Sequence, residues 1–350
     1  MSSFYRSKKK KRSNDNDDSK GNHSNGNPVK HSKQDNGCKY TVSIAIPSSL
    51  IQNAQTRELK TWLVGQIART LVLFEVDEVI VYVDTVVEAS KGASGLKNVT
   101  DQDHAVSSEL FNTPAVFITR LLQYLETPPY LRKLLFPLQY DLKFAGLLPP
   151  LDIPHHTRRD ENSMFREGVV LDIDKNDSSS DKVDVGLNHP ISINRTLTPN
   201  VRVTVQILND KKAKVVSPST PRTDYGKYWG YSTRISTTLA NVFNECPYEK
   251  YDLKIGLGDK GLKLFDNEKS SNNDDADNKF TLPIFKHALL VFGIGKDLDT
   301  VIANDETMTS NIFDMKLDIF PNGGTRTIRT EEALIIALSR LQPLYKNINK

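Results

Sequence analysis

Lys279-Phe-Thr-Leu-Pro-Ile-Phe-Lys-His-Ala-Leu-Leu-Val-Phe-Gly-Ile-Gly295, followed by Asp314-Met-Lys-Leu-Asp-Ile-Phe-Pro-Asn-Gly-Gly-Thr-Arg-Thr-Ile-Arg-Thr-Glu-Glu-Ala333, reads as strand, glycine turn, strand, glycine-rich turn and helix. Residues 287–292 form a short, almost wholly apolar run ended by glycine, as a fully buried parallel strand would be. Residues 314–320 read as a second strand feeding a second glycine-rich turn. Thr330 is placed to cap a last helix, with Glu331 and Glu332 suited to its positive end and Pro343 to stop it. The bland interpretation is an αβ unit whose glycines only make turns. The richer one is a site at the carboxyl ends of parallel strands, with Thr325, Arg326 and Arg329 in its second turn.

Working outward, residues 40–47 alternate as a strand. Residues 56–74 follow as a helix whose apolar face would be Leu59, Trp62, Leu63, Ile67, Leu71 and Phe74. Residues 76–84 form a strong strand, so the three elements make a βαβ unit. Arg69 on the helix reads as a surface residue. Residues 88–104 read as a loop, 114–125 as a helix and 130–135 as a short one. From Arg166 the period changes to two. Short strands are expected at 168–174, 182–187, 190–193 and 201–208, the pattern of a small barrel or sandwich. Residues 232–243, containing Arg234, read as a helix, and 251–255 as a strand.

Length suggests two domains or one large domain with an insertion. The net charge of +3 is too small to argue nucleic-acid binding by itself. Two cysteines, Cys38 and Cys246, make no disulfide framework and no clustered zinc site, which points to a reducing compartment. No apolar run approaches the ~20 residues that cross a membrane, and no signal-peptide core opens the chain. Residues 1 to about 37 are too polar to order themselves. Within them Lys8-Lys9-Lys10-Lys11-Arg12 suits nuclear or nucleolar import, loose RNA attraction, or only solubility.

Three further constellations carry chemistry. His155-His156-Thr157-Arg158-Arg159 could approach a metal, though adjacent histidines do not converge easily on one ion. It could bind RNA phosphate through its arginines, or be an exposed charged loop. Tyr228-Trp229-Gly230-Tyr231 could seat a base, but such a run is more often core or a domain seam. Gly256-Leu-Gly258-Asp-Lys-Gly261 is a literal G-x-G-x-x-G. A hydrophilic loop at 266–279 follows it where a dinucleotide site needs a helix, which argues against a nicotinamide dehydrogenase.

The Gly324–Ala333 segment and Tyr228–Tyr231 together resemble the SPOUT class of RNA methyltransferases, in the eukaryotic and archaeal subfamily with an OB-like domain inserted in the fold. The resemblance covers nearly all of the chain after about Lys39. That subfamily has His-His-Met-Arg, an acidic pair and Phe-Arg-Glu-Gly. Here Thr157 replaces the methionine, and Asp160-Glu161 and Phe165-Arg166-Glu167-Gly168 keep the rest.

The resemblance implies an α/β trefoil-knot domain with an inserted small β-barrel. Residues 1–38 would be a basic tail, 39–154 and 223–350 the discontinuous methyltransferase domain, and 155–222 the RNA-binding insertion. It implies S-adenosylmethionine as cofactor, held by Gly256 to Lys260, Phe292, Gly293, Asp318, Ile319, Pro321, Thr325 and Ile328, largely through main chain. Asp318-Ile319 stands where the family has a more neutral polar pair. Arg158 and Arg326 would orient the substrate. Arg159, Arg195, Arg202 and Arg329 would contact RNA, and Lys211, Lys212 and Lys214 add charge on the insertion. No metal, a ribosomal RNA base such as uridine N3, a homodimer, no membrane, and a nuclear or nucleolar place (or the cytoplasm) complete the expectation. The alternative is a non-catalytic RNA-binding or assembly protein on the same fold.

Overall fold

The structure, a computed structural model of the chain, describes residues 37–84, 113–172, 179–258, 261–263, 281–293, 298, 302, 308, 311–321 and 323–348. The expected tail, the loop at 88–104, the hydrophilic loop at 266–279 and Lys260 lie outside the described residues, apart from Gly37 and Cys38.

Seven parallel strands form one sheet. They are β1 (Thr41–Pro47), β2 (Glu78–Tyr82), β8 (Ser232–Ser236), β9 (Leu253–Gly258), β10 (Leu262–Lys263), β11 (His287–Phe292) and β12 (Met315–Asp318), in the order β10-β12-β9-β11-β1-β2-β8. Alternation along β1 sends Val42, Ile44 and Ile46 into one core and Ala45 into another. The first core also takes α1 (Arg57–Leu73), α2 (Pro114–Glu126) and α4 (Thr330–Ile348). The second takes α3 (Leu239–Asn244) with Leu298, Ile302 and Phe313. Both faces are covered, which is why β2 and β11 can be apolar almost throughout. No described helix is long and apolar enough to cross a membrane.

Between α2 and β8 the chain makes a closed five-stranded barrel. It comprises β3 (Phe165–Val170), β4 (Ser180–Asp184), β5 (Ile191–Leu197), β6 (Arg202–Asn209) and β7 (Lys212–Val216), in the order β3-β4-β5-β7-β6. Val170, Val183, Val185, Ile191, Ile193, Val203, Val205 and Ala213 fill it. The last strand, β7, has no clear sequence signal, because Lys212 and Lys214 flank a single inward alanine.

Three sequence readings are corrected. Residues 232–243 are not one helix. Ser232–Ser236 pairs with Glu78–Tyr82 as the edge strand β8, and the helix starts only after Thr238, whose hydroxyl accepts the Asn241 amide at 3.1 Å. Strand pairing here overrides local pattern. Pro343 does not stop α4, which continues to Ile348. Leu338, Leu341 and Tyr345, straddling the proline, are all buried, and that packing holds the final turn. The buried side of α1 is Thr61, Val64, Ile67, Ala68 and Leu71, while Leu59, Trp62 and Leu73 are about half exposed at 54%, 50% and 52%. Gly65 explains the rotation: a Cβ there would meet the Leu148 side chain at 2.7 Å, so the helix lies close on that loop.

Candidate active site and the domain seam

The expected cofactor residues converge at the carboxyl end of the sheet. Phe292 of β11 is the register partner of Leu257 on β9, and Asp318 of β12 is the partner of Gly258. Three neighbouring strand ends therefore stop side by side, with the Gly293 amide donating to the Leu257 carbonyl at 3.2 Å. Gly256 and Gly293 are required for packing. A Cβ on Gly256 would meet Phe313 at 3.1 Å and Leu298 at 3.3 Å, and one on Gly293 would overlap Leu298. Gly256 and Gly258 lie within β9, and Gly261 precedes a two-residue strand, so no described helix follows the glycines as a dinucleotide site demands.

Two side chains hold the ends of these strands. Tyr82 donates its hydroxyl to the Phe292 carbonyl at 2.8 Å, and Arg340 of α4 donates to the Ile319 carbonyl at 3.1 Å. Ile319 turns its side chain into the core, and Asp318 accepts the Phe320 amide at 3.0 Å. Pro321 and Ile328 are half-buried. Thr325, Arg326 and Arg329 are exposed on the turn into α4, where Thr325 donates to the Thr327 carbonyl at 3.0 Å. The Arg329 amide donates to Glu332 at 3.0 Å, a capping contact that fixes the start of the helix. Burial raises the carboxyl of Glu331, its neighbour in the same first turn.

The second polar cluster lies elsewhere. The barrel meets the sheet domain where Arg202 of β6 donates to Glu126 at 2.6 and 3.0 Å and to Glu167 at 2.7 Å. Trp229 donates its indole N–H to Glu167 at 2.7 Å, and Thr204 donates its hydroxyl to the same carboxylate at 2.6 Å. His155 is fully buried, within 2.9 Å of a Glu126 carboxylate oxygen, and His156 approaches the Glu126 carbonyl at 2.6 Å. Burial alone would raise the Glu126 carboxyl, but Arg202 and then His155 outweigh it and hold it at about 2. Burial, aided by neighbouring His155, lowers His156 to about 3. Gly230 has φ +90, and a Cβ there would sit 2.6 Å from both Glu126 and His155.

The His155–Arg159 segment therefore divides. Its histidines knit the two domains together, and only Arg158 and Arg159 are exposed. Buried Arg166 shapes their loop by donating to the carbonyls of Arg158 at 2.6 Å and Glu161 at 2.7 Å. The Tyr228–Tyr231 run is core and seam: Tyr228 donates to the Val76 carbonyl at 2.8 Å and Tyr231 to the Leu122 carbonyl at 3.0 Å. Arg202 proves to be a seam residue engaged by two carboxylates, while Arg195 is exposed on β5. Glu126, Arg166 and Glu167 are functional seam residues that sequence reasoning does not single out. The Phe165–Gly168 motif is the only signal for Arg166 and Glu167, it does not say what the charges face, and Glu126 has no signal at all.

A cleft of about 670 Å³ runs along this seam, lined by Tyr40, Asp77, Glu126, Arg202, Arg222 and Trp229 among others. It opens beside the amino ends of β1, β2 and β8, whereas the expected cofactor residues stand at the carboxyl ends of β9, β11 and β12. Arg158 and Arg159 follow the seam histidines, while Arg326 and Arg329 stand on the turn into α4. Among the described residues no group of acidic, histidine or cysteine side chains could hold a metal ion.

Residues 41–341 match a family model described as "Putative RNA methyltransferase". The chain is 41% identical over 325 residues to the 28S rRNA (uridine-N(3))-methyltransferase of Homo sapiens, covering 89% of this chain and 80% of that protein. The proteins of the same name from Mus musculus and Drosophila melanogaster are 39% and 38% identical. They match over 89% and 86% of this chain and 78% and 62% of their own lengths. The matched span takes in the adjacent strand ends, the barrel and the seam alike, and on that breadth of similarity the chain belongs to this family of RNA methyltransferases.

Proposed function

We propose that the protein transfers a methyl group from S-adenosylmethionine to N3 of a uridine in ribosomal RNA. The observation that carries this is the alignment of the β9, β11 and β12 carboxyl ends, with the 323–329 turn following β12, within a chain similar over most of its length to uridine-N3 methyltransferases. The site fits a donor bound through main chain. The Phe292 and Ile319 carbonyls are held by Tyr82 and Arg340, and Gly324 to Thr327 and Arg329 in the turn after β12 are exposed. The sulfonium donor, once bound, supplies an activated methyl group. The protein's share is to align N3 with that methyl and exclude water, which is worth several kcal/mol of the barrier. Carbon–sulfur cleavage is matched by nitrogen–carbon bond formation, and the N3 proton leaves to solvent or a base. Arg326 and Arg329 orient phosphate or base at the turn, with Arg158 and Arg159 beside the substrate.

In this reading the last strands and α4 are threaded as a trefoil knot, and the barrel is an OB-like RNA-binding module. The enzyme works as a homodimer in the nucleolus. A second copy would bring arginines from the amino end of one sheet to the donor end of the other. The half-exposed Leu59, Trp62 and Leu73 on α1 offer an apolar face for such a contact. The test is tritiated methyl transfer to ribosomal RNA, with mapping of any modified uridine and titration of the donor by calorimetry. RNA binding without donor binding would replace the enzyme with an assembly factor.

A further inference from the structure

The barrel's outward side chains are sorted by arc. On β3 and β6, Glu167, Arg202 and Thr204 pack into the seam. The arc β4-β5-β7 stands away from it. Its register sets Lys182 opposite Ser192, and Ser192 opposite Lys212. Lys182 also donates to the Ser192 hydroxyl. One step along, Ile193 pairs with Ala213, both buried, so Asn194 and Lys214 lie on the outer surface of the next row, where Gln206 pairs with Lys214. At ~4.8 Å between strands and ~3.3 Å per residue, the three lysines are rooted about 7 to 12 Å apart.

Lys212 and Lys214 are exposed and pair with no carboxylate among the described residues. Lys182 has Asp181 at 3.9 Å, with both side chains over 40% exposed, a contact too weak to neutralise it. Asp184, on the same surface, accepts the Gly186 amide at 2.9 Å. Of the neighbouring groups, Ser192, Asn194 and Gln206 are neutral, and exposed Arg195 on β5 adds a further positive charge. No aromatic side chain stands among these positions.

We propose that this Lys182–Lys212–Lys214 face is a track for the phosphate backbone of the RNA. It binds by charge without stacking or reading bases. The proposal rests on the reading of RNA as substrate and adds where, and by what chemistry, the barrel takes part. Ammonium groups interleaved with neutral hydrogen-bonding side chains complement a run of phosphates, and the missing aromatics exclude the base-stacking mode of single-strand binders. The barrel then supplies affinity that falls steeply with salt, while the choice of nucleotide lies elsewhere.

The test uses the full chain, a fluorescent single-stranded RNA and salt from about 50 to 200 mM. A variant carrying Lys182→Gln, Lys212→Gln and Lys214→Gln is compared with Lys133→Gln/Lys250→Gln on the sheet domain. The triple variant should bind RNA at least tenfold more weakly, and its log–log salt slope should fall by about 2, near 0.7 per lost phosphate contact. The three Lys→Arg replacements should keep the parental slope. Unchanged affinity and slope in the triple Gln variant would overturn the track while leaving methyl transfer standing. A parent protein that binds donor but no RNA would overturn both the track and the RNA substrate. Donor binding, followed by calorimetry in every variant, should be unaffected.

Discussion

The hydroxyl of Tyr82, at the carboxyl end of β2, donates to the main-chain carbonyl of Phe292, at the carboxyl end of β11, across 2.8 Å. The strand between them is β1, so this fully buried contact spans the middle of the sheet and fixes the backbone one residue before Gly293. Burial raises the phenol well above its ordinary range, and it stays a donor at every physiological pH.

Tyr82→Phe keeps the ring and removes that bond. One such bond is worth about 1 kcal/mol. The variant should fold with slightly lower stability and bind S-adenosylmethionine several-fold more weakly. RNA affinity should be unchanged. Calorimetry with the donor and anisotropy with RNA separate the two effects, and equal donor affinity in both proteins would remove Tyr82 from the site.

Arg202→Met leaves Glu126 and Glu167 buried without their shared cation. Breaking a buried pair on one side costs about 3–5 kcal/mol. We expect a large fall in chemical-denaturation midpoint and separation of barrel from sheet domain before global unfolding. Limited proteolysis near the seam should report it. A stability within about 0.5 kcal/mol of the parent would mean the seam does not depend on this arginine.

Acid should weaken the seam in two windows. His156 is held neutral, with its folded pKa lowered from 6.5 to about 3, so its contribution is present above 6.5 and is lost as pH falls towards 3. Glu126 is lowered from 4.5 to about 2, so its contribution is present above 4.5 and is lost towards 2. Asp77 acts in the opposite sense. Burial, only partly offset by Arg222, raises it from 3.8 to about 6, so its contribution is present below 3.8 and is lost as pH rises through 6. Thermal unfolding from pH 7 downwards should show stability falling first below about 6.5. His156→Gln should flatten that upper limb and leave the lower one.

Trp62→Asp places a charge on the exposed face of α1 without touching the core, since the parent side chain is half exposed. If that face joins two copies, the variant should elute and scatter as a monomer, lose methyl transfer, and keep its thermal unfolding cooperative. A variant that stays dimeric would move the interface elsewhere.

Local pattern was enough for much of this protein. The apolar run at 287–292, bounded by Pro283 and Gly293, could only be a buried strand, and β11 has those bounds. The helices at 56–74 and 114–125 showed in their local pattern, and their starts are held locally, by Thr56 and Thr113 accepting amides three residues on; the short alternating strands announced the barrel. These features depend on neighbours a few residues away. The parts that escaped depend on partners far along the chain. β8 is a strand because β2 offers it a ladder, and α1 turns its tryptophan outward because Gly65 lies against Leu148. Arg202 and His155 looked free because their partners Glu126 and Glu167 lie 76, 29 and 35 residues away. Local pattern carried most of the strands and helices, the inserted barrel and the glycine turns near the strand ends, but not β7 or β8. Tertiary structure decided which charges remain available, because a charge is free or bound only according to what folding brings within a few ångströms of it.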